Sequence, residues 1–415
     1  MTSVVFYFQV HQPYRLTHSA FPGADEVSAE LAPFARFDDA ENERIVRRVA
    51  ERCYLPMNQL LLDAIEKTDG RFACSFSISG TVLQQLEDWA PEALASFVKL
   101  AETGRVEFLC ETSHHSLSAL IDETEFRAQV KAQRDRIEAL FGARPTTFRN
   151  TELIFDNRIA RILEEMGFDQ LLGEGADHLL QWRSPSYAYR AHGCERLKLM
   201  LRSYVYSDDI AFRFSNREWA GYPLMADTFA GWLDEVAEDA PFIGLFMDYE
   251  TFGEHQPADT GVLDFMAHLP GYILENPRLD FSTPAEVAGR IEPVGDLDVQ
   301  RPVSWADMER DISAWLGNPM QREAHRALYE LGPKVRRAAE EGPAGTLLLA
   351  EWRRLTTSDH VYYMATKHHS DAEVHEYFSP FASPYDAFII FMNVLDDLSL
   401  RVDRATISSS PGEVR

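Results

Sequence analysis

The sequence predicts an α/β protein in which a complete or incomplete α/β barrel is followed by a helical bundle. Over roughly the first 290 residues, short apolar, β-branched or aromatic runs alternate with longer helical patterns, which is typical of parallel βα units. No glycine-rich phosphate-binding fingerprint follows any of these runs, which makes a doubly wound open sheet the weaker alternative. Beyond residue 302 the apolar residues recur at helical spacing.

Seven apolar runs are predicted to be strands, beginning with a buried strand at the N-terminus. They cover residues 4–10, 72–78, 105–109, 147–149, 170–173, 197–202 and 242–247. The helices predicted between them cover residues 43–66, 92–102, 125–141, 157–166 and 229–238. Seven strand-helix alternations in this length favour a barrel over residues 1–295.

The C-terminal part is predicted to be a separate helical domain over residues 296–415. A segment containing Pro, Asp and Val at residues 291–302 is predicted to be the linker. Helices are predicted at residues 308–316, 321–341, 345–356 and 385–401. The tail at residues 408–412, rich in Ser with Pro and Gly, is expected to be frayed.

The length, hydrophobic fraction, net charge and cysteine spacing of the chain exclude several classes of protein. The chain has 415 residues, 45% of them hydrophobic, which is enough to bury a full core and excludes a disordered protein. Its formal net charge of −26 makes nucleic acid and anionic membranes poor partners, because binding them requires clustered Lys and Arg. Four cysteines without CxxC spacing argue against a zinc ribbon or a disulfide framework. With no basic leader and no apolar run near the ~20 residues of a membrane span, the expected compartment is the cytoplasm.

Carboxylates at strand ends are the first catalytic candidates, because in parallel α/β barrels the loops after the strands form one concave face. The run at 242–247 leads directly to Asp248, and Glu152 follows the run at 147–149. Alone, each has an ordinary structural explanation: Asp248 as a turn cap or an Arg partner, and Glu152 as a helix-entry residue. Together they fit glycoside hydrolysis, in which one carboxylate attacks the anomeric carbon while the other donates and recovers a proton.

Histidines near the same strand ends offer an alternative, a metal site completed by Asp248 or Glu111. They are His11, His114, His115 and His255. The His-x-x-x-His spacing is absent, however, and adjacent histidines on a strand point to opposite faces. Hydrogen bonding to sugar hydroxyls, or a structural contact, is therefore the favoured role. Most tryptophans are expected in the core, with one or two lining a groove where they could stack on sugar rings.

Several segments, in order, resemble the signature regions of glycoside hydrolase family 57. They are His11-Gln12-Pro13, Arg149-Asn150-Thr151-Glu152-Leu153-Ile154 and Asp248-Tyr249-Glu250-Thr251-Phe252-Gly253. Later segments look like the α-amylase-type branch of that family: Ser304-Trp305-Ala306-Asp307-Met308-Glu309-Arg310-Asp311, Ser358-Asp359-His360-Val361-Tyr362-Tyr363-Met364 and Tyr377-Phe378-Ser379-Pro380. The similarity spans nearly the whole chain.

The resemblance implies an incomplete (β/α)7 barrel with a helical domain, acting on α-glucans by a retaining mechanism without a metal or other cofactor. Glu152 would be the nucleophile and Asp248 the general acid/base, with carboxyl groups ~5 Å apart. Glu250 would face the same side along an extended segment, and Trp305 and Asp359 would reach in from the C-terminal part. The residues implied to contact the substrate are His11, Gln84, His115, Arg149, Glu250, His255, Trp305 and Asp359.

Two positions depart from the family pattern and leave the substrate length and linkage open. His255 stands where several members carry Trp, and Gln84 where some carry Glu. The expected function is an α-amylase-like hydrolase whose partner is a maltooligosaccharide or storage glucan. The alternatives are a 4-α-glucanotransferase or branching-type transglycosylase, a non-catalytic glucan-binding protein, and a metal-dependent deacetylase on a similar barrel, because fold and carboxylates do not select among activities.

Overall fold

A computed structural model of the chain describes residues 1–18, 33–367 and 379–408. Its internal contacts divide it into two compact units. The first comprises Met1–Gln12, Glu43–Thr112 and Val130–Trp305, and the second Pro13–Asn42, Ser113–Gln129 and Ala306–Arg415. The first unit thus extends past the expected boundary at residue 295, and the second includes two segments from the N-terminal half of the chain.

The strands of the first unit include all seven predicted from the sequence, with ends shifted by one or two residues. They are β1 Thr2–Val10, β2 Cys74–Ile78, β3 Val106–Phe108, β4 Thr147–Arg149, β5 Gln170–Glu174, β6 Tyr189–Ala191, β7 Lys198–Arg202, β8 Phe242–Asp248, β9 Leu279–Phe281 and β10 Asp296–Leu297. The three additional strands, β6, β9 and β10, have only two or three residues each. Such short runs carry too little pattern for a sequence to reveal.

The strands form two five-stranded sheets, and the long buried strand β1 is central to one of them. That sheet has the order β3-β2-β1-β8 with β9 also paired to β1, and all of these pairs are parallel. The other has the order β10-β6-β7-β5-β4, in which only the β6–β7 pair is antiparallel. The structure is therefore an α/β fold with largely parallel sheets.

Backbone contacts join the two sheets beyond β3 and after β7. Beyond β3, Cys110 forms an isolated parallel bridge with Phe148 of β4. Directly after β7, the Ser203 N–H donates to the Gly244 carbonyl of β8 at 2.8 Å. Two hydrophobic clusters line opposite faces of β1, because successive side chains of a strand alternate. Phe6 and Phe8 belong to the larger cluster, whereas Val5 and Tyr7 belong to a smaller one shared with residues of β5, β7 and β8.

Helices connect the strands of the first unit. They are α1 Asp39–Val49, α2 Leu55–Lys67, α3 Gly80–Trp89, α4 Pro91–Glu102, α5 Glu123–Phe141, α6 Asn157–Glu165, α7 Asp177–Leu180, α8 Tyr204–Ala211, α9 Ala226–Val236, α10 Val262–Glu275 and α11 Pro284–Ala288, of which α1 and α5 extend into the second unit. The prediction of one helix over residues 43–66 was wrong in one respect: a π-helical turn, Ala50–Tyr54, separates α1 from α2. Widened turns of this kind cluster at functional sites and leave no sequence periodicity.

The prediction that residues 291–302 form a linker was also wrong. The segment contains β10, which pairs with β6, and its residues Leu297 and Val299 are buried. Val299 is fixed further because its carbonyl accepts from the Asn157 N–H at 2.9 Å. This Pro- and Asp-containing segment is therefore an integral part of the first unit, held by pairing with a strand that is distant in sequence.

In the described part of the second unit after Trp305, the regular elements are helices. Its helices are α12 Ser313–Leu316, α13 Pro319–Glu340, α14 Pro343–Leu355, α15 Ser358–Tyr362 and α16 Pro384–Ser408. The predicted helix at 308–316 is shortened to α12 because Asp307 and Arg310 have positive φ angles, which a right-handed helix does not allow, and Met308 is 83% exposed. Tyr377, Phe378 and residues 409–412 of the predicted tail lie outside the described residues.

In the part of the chain that the structure describes, no helix combines the length and the apolar character needed to cross a bilayer. The four cysteines are buried and form no disulfide.

Candidate active site

Strand β8 carries Asp248 to the C-terminal edge of its sheet. The strand is buried from Phe242 to Met247, and Asp248 is the first residue that solvent reaches. In the β1–β8 register Asp248 pairs with Gln9, so His11 lies just beyond the same edge. The sequence-based candidates Asp248 and His11 therefore meet where the loops after parallel strands gather.

Glu250 is placed on a turn and not on the extended segment expected from the sequence. Tyr249–Thr251 form a single 3-10 turn, and Glu250 is only 3% exposed. Its Oε1 accepts from the Tyr54 hydroxyl at 2.5 Å and from the His11 N–H at 3.2 Å. Burial, followed by the charge of Asp248, raises the pKa of Glu250 to about 8. Glu250 is therefore mostly protonated at neutral pH, while it still accepts two hydrogen bonds.

The two histidines at this edge are held differently. The His11 ring Nδ1 hydrogen-bonds to Ser79 Oγ at 2.7 Å, at the N-terminus of α3. The His255 N–H donates to the Glu250 carbonyl at 2.9 Å. Burial lowers the pKa of His255 to about 4, so its imidazole is neutral at physiological pH. A neutral imidazole can both donate and accept a hydrogen bond, as a sugar hydroxyl requires.

Glu152 follows β4 on a strained turn. Thr151–Leu153 form a 3-10 turn in which Glu152 and Leu153 have φ angles of 59° and 53°. This left-handed backbone costs about 1–2 kcal/mol in residues that have a Cβ, and such strain concentrates at functional sites. The Trp305 indole Nε1–H donates to Glu152 Oε2 at 2.7 Å, and the Trp305 backbone N–H donates to the Glu152 carbonyl at 3.2 Å. Trp305 therefore contacts the carboxylate itself and is not only a substrate-stacking candidate.

Two buried arginines contact the Trp305 ring. The guanidinium carbon of Arg149 lies 4.6 Å from the ring centroid and that of Arg202 lies 5.7 Å from it. Arg202 is anchored by Glu174 Oε2 at 3.3 Å, by Asp208, and by the Phe246 carbonyl at 2.8 Å. Burial alone would lower the pKa of Arg202, but Asp208 and Glu174 raise it overall, so the guanidinium stays charged.

Tyr7 links the surroundings of the two carboxylates. Its ring centroid lies 5.9 Å from the Arg149 guanidinium carbon and 5.6 Å from the ring centroid of Phe246 in β8. Burial raises the pKa of Tyr7, Arg149 opposes the rise, and the charges of Glu111 and Asp248 add to it. The Tyr7 hydroxyl is therefore within electrostatic range of Asp248, and the Tyr7 ring contacts Arg149, which in turn contacts Trp305 beside Glu152.

Three further predicted site residues are Gln84, His115 and Asp359. Gln84 lies on α3, where its Nε2 donates to Asp88 Oδ1 at 3.1 Å. His115 and Asp359 belong to the second unit, where they are neighbours because the Ser358 N–H donates to the His115 carbonyl at 2.9 Å. The assumption that His114 and His115 share a strand was wrong, since His114 lies in a turn and His115 has a φ of 49°.

Sequence reasoning missed Tyr54 and Arg202. Arg202 is the last residue of β7, so the strand-end rule that selected Asp248 could have found it. Tyr54 had no such signal because it ends the π-helical turn. Over residues 1–18, 33–367 and 379–408, no three His, Cys, Asp or Glu side chains are grouped so that they could hold a metal ion.

Known proteins share both the sequence and the fold of this chain. The sequence model of glycosyl hydrolase family 57 matches residues 5–300. A protein of Methanocaldococcus jannaschii named "Putative alpha-amylase" is 38% identical over 400 residues, which cover 95% of this chain and 83% of that protein.

Two solved structures are similar at lower identity and support the fold alone. A GH57-type branching enzyme from Pyrococcus horikoshii matches with a TM-score of 0.68 and 14% identity, covering 100% of this chain and 92% of its own. A 4-alpha-glucanotransferase from Thermococcus litoralis matches with a TM-score of 0.59 and 15% identity over 91% of this chain. This chain spans only 54% of the length of that structure.

Proposed function

This chain belongs to glycosyl hydrolase family 57, and we propose that it is a retaining enzyme acting on α-glucans, most simply an α-amylase-like hydrolase of maltooligosaccharides or storage glucan. The observation that carries the proposal is the Glu152 carboxylate, held by the Trp305 indole on a strained turn at the end of β4. Asp248 at the end of β8 supplies the second carboxyl group that the chemistry needs.

The proposed reaction has two steps. Glu152 attacks the anomeric carbon while Asp248 gives its proton to the glycosidic oxygen, so that the leaving sugar departs with a free hydroxyl. Asp248, now a carboxylate, then removes a proton from water, and the resulting nucleophile cleaves the Glu152 glycosyl ester. Two inversions leave the anomeric configuration unchanged, and Asp248 ends protonated as it began.

The neighbouring groups suit these roles. Glu250 lies close enough to Asp248 that the charge of Asp248 contributes to its raised pKa. We assign Glu250 to holding Asp248 and His11 in place, and His11 and His255 to sugar hydroxyls. Gln84, His115 and Asp359 are proposed to bind substrate on the family resemblance alone.

We further infer that the two sheets of the first unit belong to one incomplete (β/α)7 barrel. The bridge between Cys110 and Phe148 and the hydrogen bond between Ser203 and Gly244 support this, because they join the sheets at β3–β4 and at β7–β8. Seven parallel strands would then form a ring in the order β1, β2, β3, β4, β5, β7 and β8. The C-terminal ends of β4 and β8 would open on the same mouth, as two cooperating carboxylates require.

A transglycosylase is the second candidate. It is favoured by the fold similarity to structures titled as a branching enzyme and as a 4-alpha-glucanotransferase. In that case a glucan hydroxyl, and not water, would resolve the ester. The chemistry of Glu152 and Asp248 would be the same.

Product analysis tests this proposal. We would incubate the protein with maltoheptaose, follow the chain lengths of the products, and use Glu152→Ala as the blank. Shorter products alone indicate a hydrolase, and longer products beside them a glucan-transferring enzyme. Equal activity of the Glu152→Ala variant, or no turnover of any α-glucan, would contradict the proposal.

A further inference from the structure

The tryptophan that hydrogen-bonds to Glu152 is itself held by two cations. We propose that Arg149 and Arg202 fix the Trp305 ring so that its N–H orients the Glu152 carboxylate and keeps it ionised. We name these three residues the Trp305 clamp, and all of them are positioning residues. The proposal rests on the nucleophile role proposed for Glu152, and it replaces direct substrate contact for Arg149 with an action through Trp305.

Arg149 is the unusual member of the clamp. Its side chain is completely buried, and among the described residues no acceptor forms a hydrogen bond with its Nε, Nη1 or Nη2. A buried cation normally requires an anionic partner or several acceptors. What Arg149 contacts instead is aromatic: the Trp305 ring at 4.6 Å and the Tyr7 ring at 5.9 Å. The attraction between a cation and an aromatic face strengthens where water is excluded, so the indole is the principal partner of Arg149.

Arg202 supplies the fixed side of the clamp. It is tied to β5 through Glu174, to α8 through Asp208, and to β8 through the Phe246 carbonyl. These bonds leave its guanidinium little freedom, and the Trp305 ring centroid lies 5.7 Å from it. Because the planar, delocalised guanidinium stacks on aromatic faces, Arg202 restricts the ring to one orientation.

The consequence for Glu152 follows from the chemistry of indole. Indole N–H is a donor only, so its bond to Oε2 favours the ionised carboxylate over the protonated acid. Positive charge near the ring strengthens the N–H as a donor and further favours the anion. Glu152 also stands on a left-handed turn, whose backbone carbonyl accepts from the Trp305 N–H. One residue thus fixes both the backbone and the carboxylate of the proposed nucleophile.

A nuclear magnetic resonance experiment tests the clamp without depending on turnover. With ¹⁵N-indole tryptophan in the full chain, the Trp305 Nε1–H signal is assigned from its loss in Trp305→Phe. We expect this signal to shift through a pH transition that disappears in Glu152→Gln. The Glu152→Gln variant is needed because other ionisable groups surround the clamp, namely Tyr7, Glu111, Glu174, Asp208 and Asp248.

The variant Arg149→Met separates the clamp from general stability, since it removes no hydrogen bond made by the guanidinium. The indole transition should move to higher pH by about one unit because the anion loses a favourable charge. The acid limb of kcat/KM should move in the same direction. A residue with only a structural role would lower the melting temperature without moving either transition.

Kinetics give the second readout. Trp305→Phe keeps the ring but loses the donor, and we expect kcat to fall about 10- to 100-fold with KM within about twofold. The matched control is Trp182→Phe, the same change at a ring that is 84% exposed, which should keep wild-type kinetics. The variant Arg202→Lys, which keeps the charge but not the planar group, should retain less than half of the activity that Arg202→Met loses.

Two results would overturn the clamp: an indole signal whose pH transition persists in Glu152→Gln, or a folded Arg149→Met protein with an unchanged transition and unchanged kcat. Failure of the proposed function is distinguishable from these two results. The indole transition is measured without substrate, so it can be scored even if the protein acts on no α-glucan.

Discussion

The Tyr54 hydroxyl donates a 2.5 Å hydrogen bond to Glu250 Oε1 and so connects the π-helical turn with the turn after β8. A second bond reinforces this connection, since the Cys53 thiol donates to the Tyr249 carbonyl at 3.1 Å. The segment that begins with the proposed acid Asp248 is therefore supported from outside its own strand. Rigid support of this kind is what an accurately placed proton donor needs.

The raised pKa of Glu250 predicts a pH-dependent stability. Between its ordinary value of 4.5 and about 8, the folded protein keeps a proton that the unfolded chain has released. The free energy of unfolding should therefore fall as pH rises across this window. Glu250→Gln removes this contribution, so the variant should gain stability relative to wild type from about pH 4 to about pH 9, by at most about 5 kcal/mol.

Urea denaturation of both proteins at the two pH values measures this change. Glu43→Gln, at an exposed carboxyl on α1, is the control and should show no such gain. A pH-independent difference between Glu250→Gln and wild type would mean that Glu250 is ionised in the folded protein.

Gly253 is predicted to be indispensable to the turn after Glu250. Its φ is 107°, and an added Cβ would lie 2.1 Å from the Arg52 carbonyl oxygen in the π-helical turn. Gly253→Ala should therefore cost about 3 kcal/mol or more and lower activity. Gly261→Ala is the matched control, because Gly261 also has a positive φ of 88° but open space around it. Its cost should be about 1 kcal/mol, with activity retained. Equal losses in thermal unfolding would show that the contact with Arg52 is unimportant.

Backbone strain at Glu152 predicts an unusual order of stability between two inactive variants. In ordinary positions alanine is more stabilising than glycine, but at a φ of 59° the alanine Cβ is unfavourable. Glu152→Gly should therefore be more stable than Glu152→Ala by about 1 kcal/mol in chemical denaturation. Both variants lack the carboxylate, so the comparison is independent of the bond to Trp305. The reverse order would indicate that the turn relaxes to a right-handed conformation.

The acid role of Asp248 predicts dependence on the leaving group. Asp248→Asn should slow the cleavage of natural glucans by about 10²- to 10⁴-fold, because their leaving hydroxyl needs protonation. Aryl glucosides with an acidic phenol should be slowed far less at the first step. Steady-state rates on both substrates, beside the exposed control Asp264→Asn, measure the difference. Equal losses on the two substrate types would remove Asp248 from the acid role.

Much of the fold was predictable because parallel strands are long apolar runs. The strands containing Phe242 and Val5 were found within two residues of their ends for this reason. The short strand Asp296–Leu297 was read as a linker, since its pairing with Arg190 and Ala191 is distant in sequence. The break at Ala50–Tyr54 was missed because a π-helical turn preserves helical composition.

The candidate site was predictable as residue types at strand ends but not as contacts. Asp248 and Glu152 followed from their positions after buried strands. The bond from Trp305 to Glu152 joins residues 153 apart, and no local pattern encodes it. The burial of Arg149 could not be predicted either. An arginine at a strand end is expected to be exposed, and the Trp305 ring, which lies beside it in the fold and helps to cover it, is distant in sequence.

If Glu152 is the nucleophile, it forms a covalent bond with the sugar during the reaction, and a slow substrate can trap that bond. We would treat the protein with a 5-fluoro-α-glucosyl fluoride, which slows hydrolysis of the glycosyl ester, and map the added mass by peptide mass spectrometry. We expect one added fluoroglucosyl group on the peptide containing Glu152, and none in Glu152→Gln. A label on Glu250, Glu111 or Asp248, or a product of inverted anomeric configuration with no label, would contradict it.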